Sequence, residues 1–104
     1  MTIPHPAYFI FDVKIRDPQA MKPYQQKVEA SFKAWGGKRL IMGGHAEAVE
    51  GEPPKGLLVM LQFDSVEQAH AWHDSAEYQE IIHYRHAAAE TNAWLVEGVA
   101  IEHD

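Results

Sequence analysis

Phe63–Glu90, FDSVEQAHAWHDSAEYQEIIHYRHAAAE, carries two helix starts in one run. Ser65 followed by Gln68 has the spacing of a capping box, in which a hydroxyl and an amide side chain satisfy free backbone N–H groups. Ser75 repeats the start signal, so the spacing predicts a short helix over 66–74, a break, and a longer helix over 76–90. On the longer helix Tyr78, Ile81, Ile82, Arg85 and Ala89 fall at i, i+3, i+4, i+7 and i+11, which is one face. Arg85 therefore interrupts the stripe that should pack against a sheet. A guanidinium there needs a carboxylate or an anionic ligand, because an unpaired buried charge is strongly unfavourable.

Just before this stretch, LLVMLQF over 57–63 is an almost unbroken apolar run and predicts a central strand with both faces covered. NAWLVEGVAI over 92–101 predicts the last strand. Upstream, AYFIFDVKI over 7–15 is rich in aromatic and β-branched residues and predicts the first strand. Phe9, Phe11, Val13 and Ile15 point to one face, while Tyr8, Ile10, Asp12 and Lys14 point to the other. Asp12 is a carboxylate in mid-strand, either reaching water at a strand end or held by a partner. Asp17-Pro18 opens a helix as N-cap and first helical residue. Met21, Tyr24, Val28, Phe32 and Trp35 form its core stripe. Pro23 lacks the N–H that would bond back to residue 19, so one irregular turn is expected over 18–21 and regular helix from about 23. Gly36-Gly37 end the helix. KRLIMGGHAEAVE over 38–50 predicts a strand bent or bulged at Gly43-Gly44, and GEPPKG over 51–56 a hairpin connection.

The order β-α-β-β-α-β is the α+β, ferredoxin-like arrangement, an antiparallel four-stranded sheet with helices on one side. Such a sheet with one wet face should alternate between apolar and polar residues. The strands at 7–15 and 57–63 do not alternate. The expectation is a homodimer joined through the open sheet faces, closing a barrel-like sandwich.

Composition narrows the function. A chain of 104 residues fits one domain. Folding at that size buries about 60–70% of the unfolded surface. A net charge of −6 without any basic run argues against nucleic acid as a partner. There is no cysteine, which removes disulfides, thiolate metal sites and cysteine nucleophiles. No apolar run reaches the ~18 residues of a membrane span and the N-terminus lacks a signal-peptide pattern, so the expected compartment is the cytoplasm.

Several motifs act together as a family signature. AYFIFDVKIRDP, KAWGGKRLIMGG, EGEPPKGLLVMLQFDSVEQAHAWHDSAEY and YRHAAAE…LVEGV join an aspartate-proline, paired glycines, a glutamate-glycine, a Trp-x-x-Ser-x-x-Tyr spacing and a late arginine. Over residues 7–100 this combination resembles the domain-of-unknown-function 1330 family of dimeric α/β-barrel proteins. The resemblance implies the fold already derived. The wider superfamily it looks like includes cofactor-free monooxygenases, isomerases and haem-binding members, so the resemblance selects no reaction. Pro23 departs from the helical residue usual at that position.

Two readings of the polar residues stay open at this point. In one, Arg85 with Trp72, Ser75 and Tyr78 binds a small acidic or aromatic metabolite without a cofactor, and Asp12 or His45 accepts a proton. His45 enters because a bulge at the paired glycines could aim its imidazole into a cavity. In the other, Arg85 makes a structural ion pair, with Asp12 as one candidate partner, or snorkels past the packed stripe; Ser75 is only a cap, the aromatics are core, and the protein is a non-catalytic dimeric interaction module. His70 and His73, like His83 and His86, are spaced i, i+3 and fall on the expected solvent side. No third ligand stands at motif spacing, so no metal site is expected.

Overall fold

A computed structural model of the chain describes residues 5–100. The elements are β1 (Ala7–Ile15), α1 (Pro18–Lys33), β2 (Lys38–Met42), β3 (Leu57–Phe63), α2 (Val66–His73), α3 (Ala76–Ala88) and β4 (Ala89–Glu97). The sheet is antiparallel in the order β2-β3-β1-β4. This is the ferredoxin-like order, with the second helical segment divided in two as the paired serine caps predict. The serines do their work in the same way: Ser65 and Ser75 accept from the backbone N–H of Gln68 and Tyr78 at 3.0 and 3.2 Å.

Register explains which residues meet the helices. Phe9 stands opposite Leu61, Phe11 opposite Val59 and Ala7 opposite Phe63, and this face of β1 and β3 is covered by helices. Trp72 of α2 fills the centre of the layer. Its ring stacks on Phe63 at 5.4 Å and meets Phe9 edge-on at 5.4 Å, while its indole N–H donates to Ser31 Oγ at 3.1 Å. Aromatic packing of this kind adds to the burial term.

Three expectations change. First, α1 is helical from Pro18 onward, with no irregular turn over 18–21. Asp17 caps it through Oδ1 to the Ala20 N–H at 3.1 Å and through its carbonyl to the Met21 N–H at 3.1 Å. Pro23 forfeits one bond to residue 19, close to the end of the helix, and the cap holds the turn regardless. Second, the strand expected over 38–50 ends at Met42. The bulge falls at Leu40, between the pairs Arg39↔Leu61 and Ile41↔Met60, and not at the paired glycines. Gly43 turns the chain out of the sheet at φ +65°, a left-handed conformation that favours glycine, while its N–H donates to the Leu58 carbonyl at 2.7 Å. Third, β4 begins at Ala89 and not at 92, since α3 stops at Ala88, whose carbonyl accepts from the N–H groups of Arg16 and Asp17 at 2.8 and 3.1 Å. The expected strand end at Ile101 lies outside the described residues.

Asp12 has a definite partner, and it is backbone. Its carboxylate accepts from the N–H of Gly56 at 2.7 Å and of Lys55 at 3.0 Å, pinning the end of the 43–56 connection to β1. Gly56 must be glycine for this, because a Cβ there would fall on the Val13 carbonyl. Replacing Asp12 with alanine is expected to cost about 1–3 kcal/mol, the penalty for leaving charge-assisted bonds unmade. Chemical denaturation reads the loss, and faster amide exchange at Lys55 and Gly56 localises it. Unchanged stability and exchange would show that the connection does not depend on this carboxylate.

The opposite face of the sheet carries Tyr8, Ile10, Leu58, Met60, Ile41, Trp94 and Val96, as the register requires. Trp94 is 51% and Val96 46% exposed. β3 is thus central in the sheet, with helices covering one of its faces and the other on the open side.

Candidate functional site

The site begins on α3. Tyr78 and Arg85 are seven residues apart and therefore share a face, two turns from each other. Arg85 is buried, with 5% of its surface exposed. Its Nη2 donates to Tyr78 Oη at 3.2 Å. The Tyr78 hydroxyl lies 2.8 Å from that of Tyr24, which comes from the core stripe of α1. The guanidinium also sits over the rings of Phe11 at 5.5 Å and Tyr24 at 5.6 Å. Cation–π contacts of this kind recover part of the lost hydration. No carboxylate of the described residues lies within salt-bridge distance of Arg85, and its Nε has no hydrogen-bond partner.

Arg85 forms part of the wall of a cavity of about 190 Å³ beneath α1, between that helix and β1, β3 and β2. Phe11, Val28, Phe32, Val59 and Leu61 supply much of the apolar lining, with Tyr24 and Arg39 among the polar residues. Met42 and Leu57, 61% and 47% exposed, place its mouth at the end of β2 and the start of β3. Arg39 is differently placed from Arg85. It is half-buried over the Phe32 ring at 5.1 Å, and its Nη1 lies 3.4 Å from the Glu29 carboxylate and 2.7 Å from Met42 Sδ. Arg39 therefore has a counter-charge at the surface. Arg85 has none.

Electrostatics agree with that division. Burial works against the charge on Arg85, but the phenol oxygens of Tyr78 and Tyr24 outweigh it, and its pKa is raised. Burial pushes the Tyr24 phenol well above its ordinary range, the Tyr78 neighbour adds to this, and the Arg85 charge works the other way. At neutral pH the layer thus holds a guanidinium cation and a protonated Tyr24.

The other residues singled out in the sequence separate. Trp72 and Ser75 do not line the cavity. Ser75 caps α3 and donates to the Trp72 carbonyl at 2.6 Å, and Trp72 packs on Tyr78 with ring centroids 4.1 Å apart. They position Tyr78, which in turn meets Arg85. Asp12 faces the outer side of the sheet and binds the connection described above, so it is not the partner of Arg85. His45 is exposed in that connection, away from the cavity wall. His70, His83 and His86 are exposed, whereas His73 is half-buried and stacks on Phe9 at 5.6 Å, so that pair is not wholly outward. Among the described residues no three His, Asp or Glu side chains converge on a common point.

Two members of the site carry no clear mark in the sequence. Tyr24 reads as core stripe; the only hint is that a buried phenol requires a partner. Arg39 would share a face with Ile41 by simple alternation, but the bulge at Leu40 resets the register and puts Arg39 with Met42 on the helix side. The position of the cavity also differs from expectation. It lies beneath α1, and Arg85 reaches it from α3, whereas the stripe alone suggests a pocket beneath α3.

The fold and this site define a ferredoxin-like α+β protein with an arginine-bearing cavity between helix and sheet. The chain belongs to the family described as domain of unknown function (DUF1330), whose model matches residues 6–99. No curated protein matches it. Among solved structures it is similar to RPA0582, a protein of unknown function from Rhodopseudomonas palustris, with a TM-score of 0.73 and 17% identity over 93% of this chain and 85% of that one. Methylated RPA0582 gives a TM-score of 0.73 and 17% identity over 91% and 82%. A conserved protein of unknown function from Bacteroides thetaiotaomicron VPI-5482, described as a possible oxidoreductase, gives 0.58 and 12% identity over 92% and 99%. At these identities the likeness is one of fold.

The state of Tyr24 has a pH consequence. Its protonated form is favoured in the fold, so this contribution to stability is undiminished below pH ~10 and falls as pH rises from there toward the raised folded value. Ultraviolet titration should show tyrosine ionisation delayed beyond pH ~10. Melting temperatures should fall over the same interval, and Tyr24→Phe should flatten that fall. Ordinary ionisation of every tyrosine in the folded protein would contradict the buried phenol.

Proposed function

We propose that the cavity beneath α1 binds a small organic acid with an apolar body, and that Arg85 is the anchor for its anionic group. One observation carries this reading: a buried guanidinium on the wall of an apolar cavity, with no carboxylate of the described residues within salt-bridge distance. A buried cation left without an anion is costly, and a carboxylate ligand supplies the missing charge along with paired hydrogen bonds. The volume suits a single ring, since an apolar cavity of about 150 Å³ already accepts benzene. Among the described residues no carboxylate or imidazole is part of the lining, which favours recognition over proton transfer as the primary task. Benzoate is a suitable probe. Wild-type protein should bind it, and Arg85→Met, which keeps the alkyl packing, should lose the charge-assisted bonds worth about 1.5–3 kcal/mol each while staying folded. Calorimetric titration of both proteins decides the matter. Equal affinity removes Arg85 from the site; a collapsed variant makes its role structural, in line with a non-catalytic assembly module.

The same reading includes a homodimer formed through the outer sheet faces. Support comes from the apolar surface of Tyr8, Ile10, Met60, Trp94 and Val96, which a lone chain leaves in water. Sedimentation at micromolar concentration is expected to give a dimer, and Trp94→Lys, by placing a charge in the joint, a folded monomer. A folded wild-type monomer under those conditions would rule the dimer out.

A further inference from the structure

Among the described residues the hydroxyl of Tyr78 has two polar neighbours, Arg85 Nη2 at 3.2 Å and Tyr24 Oη at 2.8 Å. A guanidinium can only donate. The Tyr78 oxygen therefore accepts from Arg85, and its own hydrogen has a single acceptor within reach, the oxygen of Tyr24. Tyr78 is fully buried, so a hydrogen turned elsewhere would be left unpaired in a dry layer. The remaining assignment is fixed by elimination. If Tyr78 donates to Tyr24, the hydrogen of Tyr24 cannot point back, and no other acceptor among the described residues bonds to it. Tyr24, unlike Tyr78, is part of the cavity wall.

We infer that the Tyr24 hydroxyl donates into the cavity, at the end of a one-way chain running from Arg85 through Tyr78, and that the ligand presents an acceptor oxygen to it. This rests on the cavity being a ligand site, and it narrows the ligand class. Arg85 and Tyr24 are both donors, so the group they receive is acceptor-only: an ionised carboxylate, with its protonated form or an alcohol disfavoured. The cation at the head of the chain polarises each hydroxyl in turn and makes Tyr24 a stronger donor than an isolated phenol. A site built to donate to a ligand oxygen discriminates strongly against an analogue without one.

The test combines benzoate titration of wild type, Tyr24→Phe and Arg85→Met with a measurement on the ligand-free protein. Tyr24→Phe keeps the ring and should weaken benzoate binding by about tenfold or more, the effect of one charge-assisted hydrogen bond. Loss of binding in Arg85→Met with no change in Tyr24→Phe would overturn the Tyr24 donor and leave the Arg85 anchor standing. Absence of benzoate binding by wild type, or full binding by Arg85→Met, would instead count against the ligand site itself. The ligand-free measurement is hydroxyl exchange, followed by NMR through the deuterium isotope shift at the tyrosine Cζ. A protected Tyr78 hydrogen with a rapidly exchanging Tyr24 hydrogen supports the one-way chain. The reverse pattern overturns it whether or not benzoate binds.

Discussion

A charge held in the dry layer between helices and sheet is the constraint to which the rest of the structure responds. The guanidinium of Arg85 is carried there by the apolar stripe of α3, since Tyr78, Ile81 and Ala88 are buried on the same face. Once there it must keep its polar atoms occupied. Tyr78 occupies one of them, Tyr24 backs Tyr78 from α1, and the rings of Phe11 and Tyr24 flank the cation. This polar thread ties the two long helices together across a layer that is otherwise aromatic and aliphatic. It also leaves the cation on the wall of the cavity beneath α1. A leucine at 85 could be packed; an arginine calls for an anion.

The supporting groups are arranged around that thread. Ser75 starts α3 at the turn that sets Tyr78 against Trp72, and Ser31 takes the Trp72 indole N–H, so the ring cannot slide. On the other side of the sheet Asp12 holds Lys55 and Gly56, which fixes the start of β3 and with it Leu57 at the cavity mouth. Asp12 thus influences the cavity through the backbone, without touching it. Arg39, paired with Glu29, lies at the edge with its charge already answered.

Much of this was legible in the chain. Periodicity placed Arg85 on a face that must bury, and that inference needs nothing beyond 3.6 residues per turn. Ser65 and Ser75 marked their helices because a cap is a local device. What failed depended on partners distant in sequence. Periodicity shows that Arg85 points inward, but not that Tyr24 rather than Asp12 waits there; strand alternation had already put Asp12 on the opposite face from Phe11. The single extra residue at Leu40 changes the face of everything after it in β2, and no glycine or proline marks it. Trp72 and Ser75 looked like ligand residues because they are close to Arg85 in sequence and type, yet a cap and a core ring account for both.

The outer face of the sheet and the cavity are separate problems with a common cause, apolar surface or charge that a single chain leaves without a partner. The cavity is the more specific of the two, because the proposed ligand has to answer the charge of Arg85. A crystal structure of the protein soaked with 4-bromobenzoate, phased to locate the bromine by anomalous scattering, tests this most directly. The carboxylate is expected within hydrogen-bond distance of Arg85 and Tyr24, with the ring among Phe11, Val28 and Leu61. Bromine bound only elsewhere, with the space beneath α1 closed or filled by the protein's own side chains, would contradict it.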